Sequence, residues 1–170
     1  MAAKLGILAG GGPLPARIVQ SCLASRREVF VIAFNDETDP STCEGVAHLW
    51  VPLGKVGTTV KRLKAEHCVE VVLAGPIRRP SFSKLKPDMR ALKLLGKIGK
   101  AKGQGDNAIL SLLVEELEGE GFRVVGADDL LSDVAAPGGI MSEKTPNERD
   151  QADIEMAARV ASALGALDVG

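Results

Sequence analysis

Residues 4–15, Lys4-Leu5-Gly6-Ile7-Leu8-Ala9-Gly10-Gly11-Gly12-Pro13-Leu14-Pro15, decide how this chain is read. A short apolar run that ends in glycine has the pattern of a buried strand. The glycines and Pro13 make a tight turn, after which Leu14, Ile18, Val19 and Leu23 recur at helical spacing and predict a helix over 14–25. Residues 28–33, Glu28-Val29-Phe30-Val31-Ile32-Ala33, form a second β-rich run. Strand, glycine turn, helix, strand is a βαβ unit, the seed of a parallel sheet.

The pattern continues outward from there. Residues 34–46 are polar and predict a loop, and Leu49-Trp50-Val51 a short third strand. Val56, Val60 and Leu63 share one face of a helix over Val56 to Glu66, and Val69 to Ala74 is a second clear buried strand, again closed by glycine at Gly75. Pro76, Pro80 and Pro87 then interrupt regular structure as far as residue 88. A helix over Met89 to Ile98 is broken by Gly103-Gln104-Gly105-Asp106, where Asp106 or Asn107 caps a further helix running to Glu118. Phe122 to Val125 completes the series as a last strand. Strands alternating with helices argue for an open, mostly parallel α/β sheet with flanking helices.

From Leu131 the composition changes. Pro137-Gly138-Gly139 and Thr145-Pro146-Asn147 are breakers, so 131–149 reads as a linker after a first domain over 1–130. A final helix over Asp150 to Leu164 carries Ile154, Met156, Ala157, Val160, Ala161 and Leu164 on one face. Residues 150–170 then read as the start of a truncated second domain, or as a terminal element that packs back on the sheet. The sequence leaves both open.

Composition bounds the function. With 45% hydrophobic and 25% charged residues the 170-residue chain is globular. Aromatics are only 3% and tyrosine is absent, which leaves little material for stacking on bases. A net charge of −1 gives no nucleic-acid footprint. The balance is local, however: Arg78, Arg79, Lys84, Lys86, Arg90, Lys93, Lys97, Lys100 and Lys102 stand against Asp88 alone. That stretch suits an anion or an acidic membrane surface, or is a solvated loop and helix face. Cys22, Cys43 and Cys68 form no C-x-x-C pair and fit a reducing compartment as small core residues. Met1 to Lys4 run straight into the first strand, with no signal peptide and no apolar run of transmembrane length, so a cytoplasmic location is expected.

Three motifs bear on chemistry. The turn at Gly10-Gly11-Gly12-Pro13-Leu14-Pro15 lets a ligand approach the backbone, and the free N–H groups of the helix that follows favour an anion, with diphosphate the natural occupant. Equally, the turn can need small residues for packing alone. It is not G-x-G-x-x-G, since Pro15 stands in place of the third glycine, and it is not a Walker A loop. No acid ends the second strand, where Ala33-Phe34-Asn35 stands and Asp36 comes late, so an NAD site has weak support. The second motif, Gly75-Pro76-Ile77-Arg78-Arg79-Pro80-Ser81, follows a buried strand at the edge where open α/β sheets bind ligands, and its arginines suit a phosphate or are merely exposed. The third, Gly103-Gln104-Gly105-Asp106, holds a sugar hydroxyl or, more simply, caps a helix. His48 and His67 have no partner at metal-ligand spacing, and Ser81 and Ser83 lack a nucleophile elbow.

Taken in order, Gly6 to Pro15, Ala74-Gly75 with Arg79-Pro80-Ser81-Phe82, Pro87-Asp88, Gly105-Asp106, Glu120-Gly121-Phe122 and Gly126-Ala127 resemble the UDP-2,3-diacylglucosamine pyrophosphatases of the LpxI type. The tail, with Pro137, Gly139, Pro146, Asp153-Ile154 and Leu167-Asp168-Val169-Gly170, is similar to the start of that family's second domain. The resemblance implies a Rossmann-like first domain and hydrolysis of UDP-2,3-diacylglucosamine to lipid X and UMP, a step of lipid A synthesis that needs a divalent cation such as Mg²⁺. It places the essential acid in the second domain, beyond this chain, and so assigns no catalytic residue and no metal ligand here. For substrate binding it carries over Gly10, Gly11, Gly12 and Leu14, then Gly75 and Arg79, then Gly105 and Asp106. It leaves peripheral contact with the inner membrane and a homo-oligomer open, and implies no nucleic acid. Two other readings stand beside it: an NAD(P)-binding oxidoreductase domain, and a non-enzymatic anion-binding module built on the lysine-rich stretch.

Overall fold

The computed structural model describes residues 2–78, 87–100, 107–131 and 138–166. Its elements run β1 (Leu5–Ala9), α1 (Pro13–Ala24), β2 (Val29–Phe34), a 3-10 turn (Pro40–Cys43), β3 (Ala47–Val51), α2 (Val56–Ala65), β4 (Glu70–Ala74), α3 (Met89–Lys100), α4 (Asn107–Gly119), β5 (Arg123–Val124) and α5 (Glu148–Ala166). The five strands form one sheet in the order β3-β2-β1-β4-β5. Every neighbouring pair is parallel, with Ile7 of β1 lying between Val31 of β2 and Val72 of β4. This is the open Rossmann-like α/β arrangement that the sequence implied.

Parallel strands covered by helices on both faces must be apolar on both faces. β1 obeys this, since all of its residues are buried. Its alternate side chains feed separate cores. Leu5, Ile7 and Ala9 pack with Ile18, Val19 and Cys22 of α1, while Leu8 packs with Phe30 and Ile32 of β2, Val60 and Leu63 of α2 and Leu117 of α4. The cysteines behave as the small core residues expected. All three are buried and free, and burial raises their thiols, that of Cys68 to about 11.

The polar stretch 34–46 contains the 3-10 turn, and β3 begins two residues before the predicted strand, at Ala47. β5 is shorter than expected: the Phe122 amide donates back to the Leu117 carbonyl of α4 at 3.2 Å, and the Arg123 and Val125 amides donate to Val69 and Val71 at 2.9 Å each. At the amino edge of the sheet the buried Glu70 carboxylate lies between the guanidinium groups of Arg27 and Arg123. Glu120, after α4, ties that helix to Lys64 of α2 and Arg90 of α3.

Helix α5 is capped from within its own sequence. Asn147 Oδ1 accepts from the Arg149 and Asp150 amides at 2.9 and 3.0 Å, and Asp150 Oδ2 accepts from the Asn147 amide at 3.1 Å. No residue of α5 is buried. Among the described residues no helix is long and apolar enough to cross a membrane.

Asp88, the lone acid of the basic stretch, connects two helices. Its Oδ2 accepts from the Gly57 amide of α2 at 2.7 Å, and its Oδ1 accepts from the Arg90 and Ala91 amides of α3 at 3.1 and 2.9 Å. Burial would raise this carboxyl, but the amides of Ala91, Gly57, Thr58 and Arg90 outweigh it and hold the group below its ordinary value. One carboxylate therefore caps the first turns of both helices. Asp88→Ala is expected to lower stability by about 1–2 kcal/mol at pH 7, read from urea denaturation. Because the folded-state value is depressed, the contribution is present above the unfolded value near pH ~3.9 and fades as pH falls through the folded value. The gap between wild type and variant should therefore narrow below about pH 4.

Candidate functional site

The strand order reverses between β1 and β4, and open α/β sheets bind ligands at such a reversal, in the crevice beyond the carboxyl ends of the strands. Here that crevice is built by the loops after β1, β2 and β4. The first and third run against each other with no side chains between them. The Gly10 amide donates to the Ala74 carbonyl and the Gly11 amide to the Pro76 carbonyl, both at 2.8 Å. A Cβ on Gly10 would lie 2.5 Å from the Pro76 oxygen, and one on Gly75 would lie 2.3 Å from the Gly11 oxygen. Gly75 also has φ +86°, a region that L side chains rarely enter.

The loop after β2 closes over this contact. The buried Thr38 hydroxyl donates to the Ala9 carbonyl and accepts from the Phe34 amide at 2.8 Å, which ties the ends of β1 and β2 together. Glu37 accepts from the Arg78 amide at 3.0 Å and pairs with its guanidinium at 3.5 Å, while Arg78 also donates to the Asp36 carbonyl. The loops after β2 and β4 are thus joined by an ion pair. Arg78, read from sequence as an arginine for phosphate, has Glu37 as its partner.

These bonds narrow the set of donors left for an anion. The Gly10 and Gly11 amides are engaged, and Pro13 and Pro15, in the first turn of α1, have no N–H at all. The amides of Gly12 and Leu14 remain as donors facing out of the helix start. Gly12 occupies the N-cap with φ +74° and ψ −177°, makes no side-chain cap bond, and is followed by no acidic residue in the first turn. The positive end of the helix dipole is therefore not neutralised by the helix's own residues. Beside Gly12 and Pro13 opens a cleft of about 550 Å³.

Of the residues assigned to substrate from sequence, the structure brings Gly10, Gly11, Gly12, Leu14 and Gly75 together. Leu14 packs its side chain on the core. Arg79, Gly105 and Asp106 lie outside the described residues. Sequence reading did not find Glu37 and Thr38, because nothing in a polar loop signals which side chains turn back onto the strand ends. The late Asp36 of the dinucleotide argument adopts φ +64° and offers its carbonyl to Arg78.

Residues 4–134 match the model of the LpxI N-terminal domain family. Over 167 residues the chain is 38% identical to the UDP-2,3-diacylglucosamine pyrophosphatase LpxI of Caulobacter vibrioides, a match that covers 98% of this chain and 59% of that relative's length. Among solved structures it is similar to the Bordetella bronchiseptica enzyme WbmG in complex with NAD and UDP, at a TM-score of 0.46 and 16% identity over 74% of this chain and 37% of that one. It is similar also to the Staphylococcus aureus N5-carboxyaminoimidazole synthetase complexed with ADP, at a TM-score of 0.33 and 22% identity over 58% and 23% of the two chains.

The backbone contact distinguishes the glycines by mutation. Gly12→Ala meets nothing nearer than 3.7 Å and bears only its unfavourable φ and ψ, so it should cost about 1–3 kcal/mol. Gly75→Ala adds a collision with the Gly11 carbonyl and should cost clearly more, on the order of 4 kcal/mol, or prevent folding. Chemical denaturation of the two variants side by side checks the order.

Proposed function

This chain belongs to the LpxI family, residues 4–134 matching the family's amino-terminal domain, and on that premise we propose that it supplies substrate binding in the hydrolysis of UDP-2,3-diacylglucosamine to UMP and lipid X. The observation that carries this reading is the 38% identity to the Caulobacter enzyme over nearly the whole chain. The reaction adds a water oxygen to one phosphorus of the diphosphate. The bridging P–O bond breaks, the bridging oxygen leaves on the other phosphate, and the proton of the attacking water is lost. Negative charge gathers on the phosphate oxygens as the substrate binds and reacts. The amides of Gly12 and Leu14 and the dipole of α1 are suited to hold that charge.

The family resemblance implies Mg²⁺, which as a Lewis acid would absorb charge on the phosphates. Among the described residues no group of three or more His, Cys, Asp or Glu could hold a metal ion. These described residues do not fit a metal centre. In this proposal they bind and orient the substrate. The acyl chains of the substrate favour work at the cytoplasmic face of a lipid surface, toward which α3 could turn the exposed Met89, Leu92 and Lys93.

UMP or UDP at about a hundredfold excess over Kd should raise the melting temperature of the 170-residue chain by on the order of 5 °C or more, read by differential scanning fluorimetry. An unchanged melting temperature with both nucleotides would remove the binding role. Supplied with UDP-2,3-diacylglucosamine and Mg²⁺, the same chain is expected to bind without turnover. Sustained release of UMP would place catalytic groups within it.

A further inference from the structure

Helix α3 concentrates positive charge. Residues 89–102 hold Arg90, Lys93, Lys97, Lys100 and Lys102 and no acid, in a chain of net charge −1, so the remainder carries −6. The two sides of the helix differ. Ala91 and Leu94 are buried against the body of the protein, whereas Met89 is 72% and Leu92 49% exposed. Met89, Lys93, Lys97 and Lys100 recur at intervals of four, four and three, which places them on one stripe. Arg90 is committed, pairing with Glu116 of α4 and with Glu120. Lys93 is exposed and has no ion-pair partner among the described residues. Beside it a cleft of about 340 Å³ is lined by Met89, Arg90, Lys93, Leu94 and Glu116, so a free cation and apolar side chains border the same space.

A solvated helix face ordinarily interleaves acids with its cations. α5 is of that kind: exposed along its length, it sets Glu148, Asp150, Asp153 and Glu155 beside Arg149 and Arg159. α3 instead leaves its lysines without acids and mixes large apolar residues among them. A surface of negative headgroups over hydrocarbon satisfies both features at once, drawing the cations and covering the apolar groups. The position of the helix agrees. α2 follows β3, so its first turn stands at the carboxyl edge of the parallel sheet, and Asp88 fastens the start of α3 to it through the Gly57 amide at 2.7 Å. Met89 therefore lies toward the same edge as the Gly12 and Leu14 amides.

We propose that α3 docks on the surface of a bilayer containing anionic phospholipid, with its lysine stripe over the headgroup phosphates and Met89 and Leu92 entering the interface. The docking deepens the function proposed above and rests on it for its purpose, which is to bring the crest to a substrate whose acyl chains hold it in a bilayer.

The test is sedimentation of the full 170-residue chain with vesicles of phosphatidylcholine alone, or with about one-third phosphatidylglycerol. The chain should bind only the anionic vesicles at ~0.05 M salt and be released at ~0.5 M. Lys93→Gln, Lys97→Gln and Lys100→Gln together should weaken binding on the order of a hundredfold, about fivefold for each lysine. Met89→Ser with Leu92→Ser should weaken it about tenfold, and both variants should keep the wild-type melting temperature. Lys144→Gln, Arg149→Gln and Arg159→Gln remove the same charge elsewhere and should change binding less than about twofold. An equal loss in the two triple variants, or equal binding to neutral and anionic vesicles, would overturn the docking. So would release by inorganic phosphate at an ionic strength where chloride has no effect, which would reassign α3 to a free anion. Absence of vesicle binding alongside an intact rise in melting temperature with UMP would overturn the docking and leave the nucleotide reading standing. Vesicle binding with no response to UMP or UDP would do the reverse.

Discussion

Two lengths of main chain touch at the carboxyl edge of the sheet, and the geometry of the whole crest depends on that contact. Gly10 and Gly11 meet Gly75 and Pro76 through amide-to-carbonyl bonds, with no room for a Cβ at Gly10 or Gly75. The bonds extend the pairing of β1 and β4 past the end of the regular ladder. They also fix where the chain enters α1, and so the direction in which the Gly12 and Leu14 amides point. A crest made of backbone held by backbone is preorganised. It has few rotamers to lose, which is the condition under which modest donors bind well.

That contact changes the meaning of the glycine run without removing it from the site. The run reads from sequence either as a cradle for phosphate or as a turn that needs small residues for packing, and the structure shows the packing role at individual positions. Gly10 and Gly11 serve the packing, whereas Gly12 stands at the mouth of the helix with a backbone conformation open to few other residues. Thr38 and the Glu37–Arg78 pair lock the neighbouring loops in place. An arginine that looked available for phosphate works as a brace between two loops.

The central sheet was legible because strands buried on both faces leave continuous apolar runs, and because Gly10 and Gly75 close β1 and β4 at points where periodicity changes. The site was legible only as far as the topology of the βαβ unit, which puts these loops at one edge. Which amides are free was not legible. That depends on residues far apart in sequence meeting in space, and a glycine beside a carbonyl reads the same as a glycine beside a phosphate. Asp88 is a second instance. As a lone acid among lysines and arginines it had no visible role, and its function as a cap shared by α2 and α3 follows only from the nearness of their first turns. For α5 the sequence offered an apolar face, but an apolar face does not say what will cover it, and local capping by Asn147 and Asp150 shapes the helix without burying any of it.

The opposite end of the sheet has another character. There Glu70 is clasped by Arg27 and Arg123, and Lys4 holds Glu66, so these charges are matched among themselves. The molecule is polarised along its strands into a self-satisfied pole and a receptive one. A tether, fluorophore or immobilising tag belongs at the former, near the turn that leads into β5, where it would hold the protein by its inert base and leave the crest facing solution.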